Sequence, residues 1–266
     1  MIAHGAITGI PWLANLKTVR VEGCDGGLLF CDLRLFNSLL SLKSLTAYGV
    51  NDGCDSDDED NIDAELPTYD SHTTELVLLR SKVFTQKLYW YLESFRSLQS
   101  FTFEYPLSSS AVNNKENFDP CWIRSALVAP AKATLQTLTI LGPPRPDTFM
   151  GSLQAIEALK EIHTEWCFVF PNKCDLETWP SRVLPASIHT LKLGDRSDRS
   201  DKEYKILIRG LQRAKENTCL KLEAVEIETD WWDICMEVDE LQGMCEKVGI
   251  SLRFSAETWE VGIGYT

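Results

Sequence analysis

Glu161-x-His163-x-Glu165 places two carboxylates and an imidazole at alternate positions of one short stretch. On an extended strand these side chains point to one side with Cα atoms about 6–7 Å apart, close enough to converge on an ion or to share acid–base work. A metal needs several convergent ligands, however, and the neighbouring stretch supplies Lys192 rather than a further His or Cys. His4, His72 and His189 stand alone. The nine cysteines are scattered without a CxxC pair, which reads as reduced thiols in a cytoplasmic or nuclear protein rather than a disulfide framework or a zinc site. Asp230-Trp231-Trp232-Asp233 reads as an exposed aromatic anchor or, as the usual burial of tryptophan favours, as the packing of a helix start. Ser56, followed by Asp57, Asp58 and Glu59, has the pattern of an acidophilic-kinase site. No GxSxG, HExxH, Walker A or GxGxxG pattern occurs, so the expectation is a protein that binds, with no catalytic residues, no metal and no cofactor.

The elements that carry these residues follow from a recurring pattern. Leu13, Leu16, Val19, Val21 and Cys24 have the spacing L-x-x-L-x-x-L-x-L-x-x-N/C of a leucine-rich repeat, and Cys24 fills its turn position. Further copies run through Leu39, Leu42, Leu45, Ala47 and Val50, then through Leu76 and Leu78, and through Phe95, Leu98, Phe101 and Phe103. Leu135, Leu138 and Ile140 give a fifth, and Ile156, Leu159, Ile162, Thr164 and Cys167 a sixth. Ile188, Leu191 and Leu193, and then Cys219, Leu222, Val225 and Ile227, complete eight, with Ile250, Leu252 and Phe254 as a last strand. The first strand positions (19, 45, 76, 101, 138, 162, 191, 225) are 24 to 37 residues apart. One such repeat buries too little apolar surface to offset the entropy of ordering it, so neighbours must stack and share their burial.

Several intervening segments read as helices. Leu29, Leu33, Phe36 and Leu40 lie on one helical face, as do Phe84, Leu88, Leu92 and Phe95. Asp119-Pro120 is an N-cap followed by a first-turn proline, and Ser200-x-x-Glu203 is a capping box ahead of Tyr204, Ile208 and Leu211. Ile234, Val238, Leu241, Cys245 and Val248 form the last helical stripe. The predicted fold is an α/β leucine-rich-repeat solenoid of about eight irregular repeats, with a curved parallel sheet inside and helices outside. It is one domain over 1–266, with an acidic flexible insertion at 51–65 and a C-terminal capping segment at 250–266, where Trp259, Val261, Ile263 and Tyr265 alternate as in a strand. The first dozen residues offer no comparable cover, so a capping segment is expected upstream.

Charge narrows the partner. The net charge is −13, yet 51–65 alone holds eight acidic groups and no basic one; taking those eight from 39 leaves 31 against 26 basic residues, a balance of −5. An acidic chain without basic stripes argues against nucleic acid and anionic membrane surfaces and allows a basic protein partner. No apolar run approaches the roughly 18 residues of a membrane span. The start lacks a basic region followed by a long apolar core, and no glycosylation sequon occurs. In a repeat strand the residues flanking the two inward positions face outward on the concave side. Glu22, Glu75, Glu104, Glu161, Glu165, Glu226 and Glu228 then make seven acids against Arg20 and Lys192, with Tyr48, Leu141 and His163 among them. The expectation is a negative binding face with an uncharged middle.

The stretches LANLKTVRVEGC, SFRSLQSFTFEY, TFMGSLQAIEALKEIHTEWC and LPASIHTLKLGD, with their irregular spacing and acidic insertion, resemble the C-terminal leucine-rich-repeat region of fungal F-box proteins over almost the whole chain. The resemblance implies a horseshoe that recognises substrates for a cullin–RING ubiquitin ligase. The F-box itself is not visible in these residues, so an F-box-binding adaptor is an expected partner only where an F-box precedes them. A standalone scaffold or inhibitor that binds a basic protein is the other expectation.

Overall fold

A computed structural model describes residues 15–23, 28–52, 70–106, 118–143, 148–171, 174–195, 199–229 and 238–256. Cys24, Ser56, Asp230–Asp233 and Trp259–Tyr265 fall outside them. Alternating apolar residues form the strands. β1 is Thr18–Glu22, β2 Leu28–Leu29, β3 Ser44–Tyr48, β4 Val50–Asn51, β5 Glu75–Leu79 and β6 Ser100–Glu104. β7 is Thr137–Leu141, β8 Glu161–Glu165, β9 Thr190–Asp195, β10 Ala224–Thr229 and β11 Ser251–Ala256. Nine of them make one sheet in the order β1-β3-β5-β6-β7-β8-β9-β10-β11, while β2 and β4 pair separately. Every pair is parallel.

The register aligns the predicted inward positions. Val19, Leu45, Leu76, Phe101, Leu138, Ile162, Leu191, Val225 and Leu252 stand side by side in one buried row. Two residues on, a second row runs from Val21 through Ala47, Leu78, Phe103, Ile140, Thr164, Leu193 and Ile227 to Phe254. Thr164 is tolerated there because its hydroxyl donates to the Ile140 carbonyl of the preceding strand at 3.0 Å. Just before the strands, the Lys17 carbonyl accepts from the amides of both Lys43 and Ser44. The carbonyls of Lys43, Thr74, Gln99, Gln136, Lys160 and His189 do the same for the two residues that enter each following strand. Successive strands therefore enter the sheet identically, however long the segment between them.

The helices are α1 (Phe30–Asn37), α2 (Thr85–Leu92), α3 (Pro120–Ala131), α4 (Trp166–Val169), α5 (Pro180–Val183), α6 (Asp201–Asn217) and α7 (Val238–Glu246). Leu33, Leu88, Leu127, Leu207, Leu211 and Leu241 join the strand rows in one apolar cluster, so the helices pack on one face of the sheet. Local signals hold where they were strongest. Asp119 accepts from the Cys121 amide at 2.8 Å with Pro120 as first helical residue, and the Ser200–Glu203 capping box is formed. The whole is an α/β, solenoid-like arrangement built on one nine-stranded parallel sheet.

Two expectations change. The stripe Leu29–Leu33–Phe36–Leu40 needs a helix twelve residues long, but α1 stops at Asn37 and buries Phe30, Leu33 and Asn37. Leu29 and Leu40 are left exposed, while Asn37 is held by Ser94, beyond α2 in the chain, and by Tyr91 at its C-terminal turn. Asn51, expected within the acidic insertion, lies in β4, and the Asp52 carboxylate accepts from the Phe84 amide at the start of α2. Residues 251–256 are the last strand expected around Leu252 and Phe254, and it pairs with β10 as the ninth strand of the sheet.

Candidate protein-binding face

Side chains between and beside the inward rows point to the other face of the sheet. Its central row is Arg20, Thr46, Val77, Thr102, Thr139, His163, Lys192, Glu226 and Arg253, each exposed or half-buried. Flanking it towards the strand ends are Glu22, Tyr48, Leu79, Glu104, Leu141, Glu165, Gly194, Glu228 and Ser255. Glu165 and Gly194, beside α4, are the buried members of the flanking row.

Five of the carboxylates have partners on the face itself. Arg20 donates to Glu22 at 2.7 Å, Ser44 to Glu75 at 2.6 Å, and Arg80 lies 3.9 Å from Glu104. At the far end Lys192 sits 2.9 Å from Glu228 and 3.7 Å from Glu226, and Ser255 donates to Glu226 at 2.8 Å. Nε2 of His163 lies 3.0 Å from the same Glu228. Burial would raise the Glu228 carboxyl, but the bonds and charge of His163 and Lys192 outweigh it and hold the group below its ordinary value of 4.5. Lys192 is likewise pulled down by burial and raised further by Glu228 and Glu226, so it ends above its ordinary 10.5.

A pH dependence follows. A depressed carboxylate stabilises the fold above its ordinary value and loses that contribution as pH falls through the lowered one. A raised lysine contributes fully below its ordinary value and loses it as pH rises beyond. Stability from this cluster is thus level between roughly pH 5 and 10 and falls outside that window. Glu228→Gln should flatten the acid limb of a urea-midpoint series taken below pH 5. An acid limb as steep as that of the parent would refute the pairing.

The Glu161–His163–Glu165 trio does not converge. Glu161 is exposed at the strand start, His163 turns to β10, and Glu165 is buried, with only 1% of its surface exposed. Glu165 was expected on the accessible face; α4 starts at the next residue, and its carboxylate lies against Gly194, where a Cβ would come within 3.0 Å of Oε2. The bare glycine leaves the space it fills. Among the described residues no group of three His, Cys, Asp or Glu could hold a metal ion. Burial, then the charge of Asp175, pushes the Cys174 thiol up to about 11, and burial pushes Cys245 up to about 12, so neither is a ready nucleophile. Cys167, expected at the turn out of β8, is buried within α4.

Two features escaped the sequence reading. Arg80 follows β5, outside the strand positions considered, and reaches over the Tyr48 ring at 5.5 Å. A cleft of about 400 Å³ opens beside Trp166, Phe170, Cys174 and Arg199. There Arg199 stacks on Trp166 at 4.4 Å and reaches Asp195 at 3.2 Å and Glu203 at 3.5 Å, so its charge is spent within the fold.

No family model, curated protein or solved structure matches this chain. Among the described residues no helix is long and apolar enough to cross a membrane.

Proposed function

We propose that the chain is a leucine-rich-repeat solenoid that binds another protein through the open face of its sheet, as the substrate-recognition part of an F-box-type ubiquitin ligase receptor. The supporting observation is the sheet itself: nine parallel strands, one face packed by helices and the other, among the described residues, with a central row of exposed or half-buried side chains. At ~4.8 Å per strand this offers a continuous surface roughly 38 Å long, the scale of a protein contact rather than of a small-molecule pocket. The repeat template supports the solenoid, and the resemblance to fungal F-box proteins supplies the ligase role.

A photo-cross-linking amino acid at Thr102, on the open face, should capture partner proteins in cells, whereas one at the exposed Lys132 beside α3 should not. Capture only from Lys132 would refute the face. With the full-length gene product, an F-box-binding adaptor in the same purification supports the ligase role. Partner capture without an adaptor would point instead to a scaffold or inhibitor.

A further inference from the structure

We infer that recognition is concentrated at the middle of the open face, on Tyr48, Leu79, Arg80 and Leu141, and that it selects an apolar, uncharged protein segment rather than a basic one. This rests on the reading of the open face as the partner-binding surface. Two observations carry it.

The first is charge. Seven carboxylates predicted a negative face, but Glu165 is buried. Of the other six, Glu22, Glu104, Glu226 and Glu228 lie beside Arg20, Arg80, Lys192 and His163. Arg253 adds a further cation next to Glu226 in register. The charges of the face are thus largely self-neutralised, which removes the long-range attraction a basic segment would need. In the middle, from β3 to β7, Tyr48, Val77, Leu79 and Leu141 stand half-buried among the hydroxyls of Thr46, Thr102 and Thr139, and the two carboxylates there are engaged, Glu104 beside Arg80 and Glu75 by the Ser44 hydroxyl. Three strand intervals span about 14 Å, the length of a short extended segment.

The second is strain. Arg80 has a positive φ of 46°, the one described non-glycine residue that does. The position after the preceding sheet strand, Gly49, has φ 66° and is a glycine, which meets this conformation at no steric cost. An arginine carries a Cβ penalty there, and strain of that kind persists where the side chain is used. The turn is held by the Ser81 amide on the Glu104 carbonyl at 2.9 Å and the Ser81 hydroxyl on the Leu79 carbonyl at 3.0 Å. Its consequence is a guanidinium laid over Tyr48 next to Leu79 in the chain, within the apolar stretch, with Glu104 3.9 Å away. Tyrosine and arginine backed by aliphatic side chains are the usual composition of an interface hot spot.

The test is a random-peptide phage library panned on the full chain. The inference expects selected peptides with Leu, Phe, Ile or Tyr anchors and few Lys or Arg, bound equally at low and high salt. Leu141→Asp and Arg80→Gly should each weaken them about tenfold or more. Arg80→Gly is the sharper variant, since it relieves strain: the urea midpoint should hold or rise while affinity falls. A fall in the midpoint with affinity unchanged would assign Arg80 to structure and overturn its role. Selected peptides rich in Lys and Arg, lost at high salt and in Glu161→Lys, would overturn the inference and leave the binding face standing. A panning that yields no peptide sensitive to any face substitution would overturn both.

Discussion

Gly210→Ala is expected to destabilise the protein by about 3 kcal/mol, although helix propensity alone favours alanine there by about 1 kcal/mol. Gly210 lies inside α6 and is buried. A Cβ at this position would overlap the backbone carbonyl of Leu176 and come within 3.1 Å of that of Glu177. These are main-chain atoms, tied in by turns such as Trp179 N–H on the Asp175 carbonyl at 2.9 Å, so no flexible side chain can swing aside. Either α6 moves away from this segment or the segment unfolds, and both expose the apolar row of Leu207 and Leu211. The internal control is Gly243→Ala in α7, where a Cβ would meet nothing within 4 Å. That change should stabilise by about 0.5–1 kcal/mol through propensity and a less flexible unfolded chain. Urea denaturation followed by far-ultraviolet circular dichroism measures both, and opposite signs are the expected result. Gly210→Ala as stable as the parent would mean that α6 does not pack this closely.

The second large effect is expected from Phe103→Ala, at about 3–5 kcal/mol. Phe103 is 1% exposed in the second inward row. It stacks on Phe118 with ring centroids 6.0 Å apart and lies edge-on to Tyr105 at 6.5 Å, and Phe118 in turn meets Phe168 of α4 at 5.5 Å. The aromatic column links β6, the approach to α3, and α4. Truncation removes the transfer energy of the ring and leaves a cavity that its neighbours, fixed by the sheet ladder, can fill only in part. Thr102→Ala, one residue away on the other face, should change stability by no more than about 0.5 kcal/mol. Equal urea midpoints for the two variants would contradict the assignment of the faces.

That assignment was legible early. Alternation over short stretches, repeated with leucines at fixed offsets, located every strand of the large sheet and separated inward from outward positions. Asp119-Pro120 and Ser200-x-x-Glu203 marked two helix starts correctly, because capping acts within one turn and needs no tertiary partner. The stripe through Leu29 and Leu40 misled because periodicity records which residues could share a helical face, not where the helix ends. α1 ends at Asn37, whose amide finds Ser94 fifty-seven residues away.

Composition also overstated the charge of the face. Counting strand by strand treats each carboxylate as isolated, whereas parallel strands about 4.8 Å apart bring together residues far separated in the chain. Lys192 sits among Glu226, Glu228 and His163, and His163 and Glu228 are 65 residues apart yet bonded at 3.0 Å. Glu165 and Arg80 carry the same lesson. One is buried because its neighbour in register is a glycine, and the other joins the face because its backbone turns left-handed after β5. Residues in sequence order determined which side chains point into the core, since that depends on a period of two along each strand. Which outward side chains are paired, buried or strained was decided by neighbours across strands, and only the tertiary structure sets those distances.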